Sequence, residues 1–128
     1  MRVLFSLFLF SKHTPAQMKI NDRKIEFENG KVLTFDFPIM KTLLHNGIII
    51  VLLDKPPKII FNENVYGVSN GGDLLWQIPK VEDEQQHCPF IDMHINEEGK
   101  LILRNWCHLN YEIDGKTGHV LSEEGYGW

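Results

Sequence analysis

"FIDMHINEEGKLILRNW", from Phe90 to Trp106, decides how the rest of the chain reads. Apolar residues alternate with polar ones, the period of a strand with one buried face, and the alternation breaks at Glu97-Glu98-Gly99. A three-residue hairpin loop ending in a left-handed glycine pairs Asn96 with Lys100. That register sets Ile91, Met93 and Ile95 beside Asn105, Leu103 and Leu101 on one face. On the other face it sets Phe90 against Trp106, Asp92 against Arg104 and His94 against Ile102. An aromatic pair and an ion pair follow from one assumption, each contributing about 0.2–1 kcal/mol. The segment is an antiparallel hairpin.

The same grammar extends in both directions. "KIEFENGKVLTFDF" (Lys24–Phe37) reads as two strands around Asn29-Gly30, and a two-residue type I′ turn pairs Glu28 with Lys31. Asn46-Gly47 separates two more apolar runs, and Ile48–Leu53 is apolar on both faces, the mark of a central strand. "DKPPK" (Asp54–Lys58) is a loop, because adjacent prolines cannot sit inside a sheet. "VYGVSNGGDLLWQIP" (Val65–Pro79) turns at Asn70, Gly71 and Gly72, and the last hairpin turns through "DGKTG" (Asp114–Gly118). "EEGYGW" reads as a closing tail. No helical period of ten or more residues interrupts this pattern, and one short helical turn near Pro38 to Leu44 is the most it allows. The expected fold is all-β, an antiparallel meander of about eight to ten short strands, arranged as a sandwich or as two blade-like sheets.

A chain of 128 residues holds one core without staples, and 43% apolar with 23% charged residues is ordinary globular composition. A net charge of −4 with no Lys/Arg cluster argues against nucleic acid and suits a basic protein partner. Two cysteines make no disulfide framework, so a reducing, cytoplasmic setting is expected. The apolar run Val3–Phe10 is too short to span a membrane, for which about 20 residues are needed. It fits a minimal export signal over residues 1–16, or a start displaced from Met18. Either way, residues 1–17 stand apart from a single domain over residues 18–128.

Two segments align. Tyr66 meets Tyr111, Val68 meets Ile113, and Leu74-Leu75 meets Val120-Leu121, whereas Trp76 meets Ser122. "VYGVSNGGDLLWQI" and "YEIDGKTGHVL" resemble the strand–turn–strand signature of quinoprotein-type β-propeller blades. A propeller needs four or more blades, and this chain holds strands for about two, so quinone or sugar chemistry is not implied. The longer pattern from "NENVYG" to "YEIDGKTG" is similar to small bacterial all-β proteins of unassigned function. That similarity implies a fold and no activity.

Reactive side chains concentrate at His87, Cys88, His94, Cys107 and His108. In the register above Cys88 shares a face with His108 and Cys107 points the other way, which argues against a Cys88–Cys107 disulfide. Cys88, His94 and His108 survive as candidate metal ligands, without the close cysteine pair that usually anchors zinc. A Cys88–His108 thiol centre has Asp92 on its face and no Gly-rich oxyanion turn. "GKT" at residues 115–117 is not a phosphate loop, since Asn110 stands where the earlier glycine belongs. Trp76, Tyr66 and Trp106 read as packing, and the acidic run with Glu82, Asp83 and Glu84 as a solvated loop. Tyr126 and Trp128, among glycines, are the aromatics most suited to a contact. The leading expectation is a non-enzymatic protein-binding module, inhibitor-like or immunity-like, without a cofactor. It meets its partner through Glu82, Asp83, Glu84, Tyr126 and Trp128. The rivals are a metal or thiol enzyme on Cys88, His94 and His108, and a module that associates with itself.

Overall fold

The computed structural model describes residues 18–81 and 86–125. Among them are eleven strands: β1 (Lys19–Asn21), β2 (Lys24–Glu26), β3 (Val32–Thr34), β4 (Ile39–His45), β5 (Ile48–Leu53), β6 (Val65–Val68), β7 (Leu74–Gln77), β8 (Phe90–Ile95), β9 (Leu101–Asn105), β10 (Leu109–Ile113) and β11 (Val120–Gly125). Every pairing is antiparallel and between sequence neighbours, giving sheet A (β1-β2-β3), sheet B (β4-β5-β6-β7) and sheet C (β8-β9-β10-β11). The expected all-β meander is the fold observed. Residues 38–44 are not helical, because the alternating side chains of β4 pair with β5 from Ile39 to His45.

Sheet B is the middle layer, and β5 shows why. Ile49, Val51 and Leu53 pack with Ile25, Phe27, Phe35 and Val68 in a core shared with sheet A. Ile50 and Leu52 join Val65, Trp76, Phe90, Met93, Leu101, Leu103, Tyr111 and Ile113 in a second core shared with sheet C. A strand apolar on both faces is stable only where both faces are covered, so the run Ile48–Leu53 dictates a three-layer stack.

Turn chemistry sorts the hairpins. Asn46 and Gly47 both have positive φ, 49° and 83°, and the two-residue turn expected there forms. At Asn29-Gly30 it does not. Only Gly30 is left-handed (φ 91°), Phe27 N–H donates to Lys31 O at 2.8 Å, and Ile25 pairs with Leu33. Asn29 instead accepts from Lys31 N–H at 2.9 Å and donates to Gly71 O at 2.8 Å, which ties this loop to the β6–β7 turn. The tertiary contact selects the longer loop.

The Phe90–Trp106 hairpin keeps its expected register from Leu101↔Ile95 to Arg104↔Asp92, then slips. A β-bulge between Arg104 and Asn105 makes Ile91 the extra residue and pairs Asn105 with Phe90. Beyond it the faces invert. Phe90 turns into the core against Tyr111, with ring centroids 5.7 Å apart, and Trp106 turns out, 56% exposed. The expected Phe90–Trp106 pair and the packing role for Trp106 are corrected by that single slip. Glu123, Glu124 and Gly125, expected in a tail, belong to β11 and pair with β10.

Candidate functional site

Continuing the bulged register places Cys88 opposite Cys107, and the two form a disulfide with Cα atoms 5.3 Å apart. The expectation that they diverge is corrected. It assumed an unbroken alternation, and one extra residue inverts the side on which Cys88 lies. Cys88 is therefore neither a thiol nucleophile nor a metal ligand. His94 stands six residues along the strand, roughly 20 Å away at about 3.3 Å per residue. It lies exposed opposite Ile102 on the outer face of sheet C, whereas His108 has φ 71° in the β9–β10 turn. Among the described residues no group of three or more His, Cys, Asp or Glu is placed to hold a metal ion. Asp92 serves no thiol either. Its carboxylate accepts from Lys41 Nζ at 2.9 Å and from Met93 N–H at 2.8 Å. Burial pushes this carboxyl up, but the Lys41 and Met93 hydrogen bonds, with the charges of Lys41 and Arg104, hold it below the usual range.

Side-chain amides set the segment beside the disulfide. Asn64 donates to Leu53 O and Phe90 O and accepts from Phe90 N–H, each at 2.9 Å. Asn62 accepts from Cys88 N–H at 2.9 Å and donates to Gln86 O at 2.8 Å. The alternate residues of "NEN" thus give residues 86–90 the hydrogen bonds that a neighbouring strand would supply. Asn105, fully buried, accepts from Cys107 N–H and Leu109 N–H at 3.0 Å and shapes the turn that follows. Trp106 N–H donates to Pro89 O at 2.9 Å.

Between this clamp and the "DKPPK" loop lies a cleft of 190 Å³. Its walls are Met40, Leu53, Pro57, Pro89, Phe90, Ile91 and Trp106, and its polar groups are Asp54, Lys55, Asn64 and His87. His87 and Trp106 each adjoin one half of the disulfide, so the bridge fixes two walls at once. Lys55 Nζ donates to Pro56 O at 2.9 Å and lies 3.4 Å from His87 Nδ1. Burial draws the Lys55 ammonium below the ordinary lysine range, with the Asp54 carboxylate drawing it partly back. The sequence assigned none of these groups to binding. They come from five separate segments, and no spacing connects them.

A second depression, of 360 Å³, lies on the outer face of sheet C among His94, Lys100, Glu98, Glu112, Ser122 and Glu124. Its one lysine is already paired: Lys100 lies 3.4 Å from Glu98 and 3.9 Å from Glu112, which also accepts from Ser122 Oγ at 3.4 Å. The Lys55 cleft, which joins an apolar wall to a cation lacking a carboxylate partner among the described residues, is the better binding site. The expected contact residues Glu82, Asp83, Glu84, Tyr126 and Trp128 lie outside the described residues, as do residues 1–17. Among the described residues no helix is long and apolar enough to cross a membrane.

Among protein families, one described as a domain of unknown function (DUF7957) matches residues 14–125. No curated protein and no solved structure matches the chain.

Proposed function

We propose that this chain, which belongs to the DUF7957 family, a domain of unknown function, is a non-enzymatic module that binds a polypeptide in the Lys55–Trp106 cleft. The observation that carries the reading is Trp106, a 56% exposed indole at the mouth of an apolar cleft, on a backbone clamped by the disulfide and by Pro89. Rigidly presented tryptophans are the side chains that most often dominate protein interfaces. Size argues for a side chain over a whole small ligand: 190 Å³ falls below the roughly 300–1,000 Å³ of small-molecule pockets. The net charge of −4 steers a basic partner at long range, and the acidic stretch at Glu82, Asp83 and Glu84 and the aromatics Tyr126 and Trp128 are further contacts in this reading. The disulfide supports work in an oxidising compartment, where such bonds persist, and the signal-like residues 1–16 agree with export better than with the cytoplasm.

The test is selection of a displayed random-peptide library on the oxidised, full-length protein. Enriched peptides should bind at least about tenfold more weakly to Trp106→Ala, a loss of about 1.4 kcal/mol, while the variant unfolds at the same denaturant midpoint. No enrichment, or equal binding to the variant, would reject the reading.

A further inference from the structure

We infer that the cleft takes the carboxyl-terminal residue of its partner polypeptide, with an apolar side chain against Trp106 and Pro57 and the α-carboxylate on the Lys55 ammonium. The inference rests on the polypeptide-binding reading and adds the chemistry of the anchor. An ammonium has three donors. One goes to Pro56 O at 2.9 Å, a second faces His87 Nδ1 at the long distance of 3.4 Å, and among the described residues no acceptor takes the third. Asp54 lines the same cleft but forms no ion pair with Lys55 among the described residues; it acts on the ammonium only through space. The ammonium sits at the surface of the cleft, where partial desolvation lowers its pKa more than the through-space attraction of Asp54 raises it, and among the described residues no carboxylate bonds it directly. A carboxylate supplies a charge-assisted hydrogen bond, about twice as strong as a neutral one.

The apolar walls exclude the simpler occupants. An inorganic anion would satisfy Lys55 and leave Met40, Pro57, Ile91 and Trp106 uncovered. A neutral apolar side chain would cover those walls and bury the ammonium further, unpaired. In an extended acidic peptide the carboxylate and the neighbouring apolar side chain point to opposite faces. A carboxyl-terminal residue carries both groups on one Cα, which suits a site this small.

Three probes separate these cases: acetyl-Gly-Gly-Phe with a free carboxylate, the same peptide as its amide, and acetyl-Phe-Asp-Gly-amide with an internal carboxylate. Binding is followed by amide and indole NMR shifts on the oxidised full chain. The free acid should shift Trp106 and His87 and bind about tenfold more tightly than either other probe. Lys55→Met should erase that advantage without changing the weak binding of the amide, and Asp54→Asn should tighten the acid by removing a like charge. Equal binding of acid and amide would overturn the carboxylate assignment and leave the polypeptide reading standing. Equal binding of the terminal and internal acids would overturn the terminal assignment. If no probe shifts the cleft at millimolar concentration, the inference and the function it rests on both fall.

Discussion

One extra residue in β8, Ile91, changes the partner of Cys88 from His108 to Cys107. The bridge then spans 19 residues of sequence, and restricting the unfolded chain over such a loop stabilises the fold by about 3 kcal/mol. Urea unfolding with and without reductant should differ by that amount, and a Cys88→Ala/Cys107→Ala double variant should match the reduced protein. Coincident curves would show that the bridge contributes nothing to stability. Asp92 makes a second contribution, one that depends on pH. Its carboxyl titrates below the ordinary value of about 3.9 because Lys41 and the Met93 N–H favour the charged form more than burial opposes it. A group whose folded pKa is lowered stabilises the fold above its unfolded pKa, and the stabilisation is lost as pH falls through the folded value. Wild type should therefore exceed Asp92→Asn in stability near neutral pH, and the gap should close below about pH 4. A gap that widened with acid would contradict the assignment. The carboxylate is half exposed, so solvent keeps the effect modest.

At the scale of the elements, polar side chains replace backbone pairing where the chain leaves its sheets. Asn64 satisfies Phe90 N–H, Phe90 O and Leu53 O from a buried position. Asn64→Ala strands these groups, each worth roughly 1–3 kcal/mol when buried and unpaired, so a loss of at least about 3 kcal/mol is expected by denaturant unfolding. Exchange at the Phe90 amide should also rise. Asn64→Ala with wild-type stability would mean that water satisfies these groups as well. The same residues mark how far the sequence could be read. Hairpin registers such as Leu101↔Ile95 were legible because pattern and turn chemistry are local. The Arg104–Asn105 bulge was not, because it depends on Asn105 capping a turn and on Asn64 holding Phe90, contacts across 4 and 26 residues of sequence. Everything downstream of the bulge went with it: the disulfide, the outward turn of Trp106 and the cleft. Asn29 fell to the same limit, its turn redirected by Gly71 across 42 residues. Local chemistry names the hairpins, and non-local hydrogen bonds move them by single residues.

Across the whole molecule, sheet C repeats sheet B one layer further along the stack. Tyr66 of β6 faces the core shared with sheet A, where it packs 5.1 Å from Phe35, and Tyr111 of β10 faces the core shared with sheet B. The two aligned hairpins therefore hold equivalent places in successive sheets, and their differences follow from what covers each one. Trp76 lies under sheet C, its indole N–H donating to Gly115 O at 2.8 Å and its ring lying so close to Gly67 and Gly118 that neither could carry a Cβ. At the corresponding place Ser122 lines the outer face of sheet C, beside Glu112, and no described layer packs upon it. The apolar side of the repeat is kept where another sheet lies above it and becomes polar where no described layer covers it. Matched substitutions test this directly. Trp76→Ala should cost about 3–5 kcal/mol, as a large core side chain does, while Ser122→Ala should change stability by less than about 0.5 kcal/mol. Gly67→Ala should also destabilise, by about 1–3 kcal/mol, since the indole would have to move. Unfolding curves for the variants decide the matter. Comparable losses at residues 76 and 122 would mean that the outer face of sheet C is covered in solution, by a second copy or by a segment beyond the described residues.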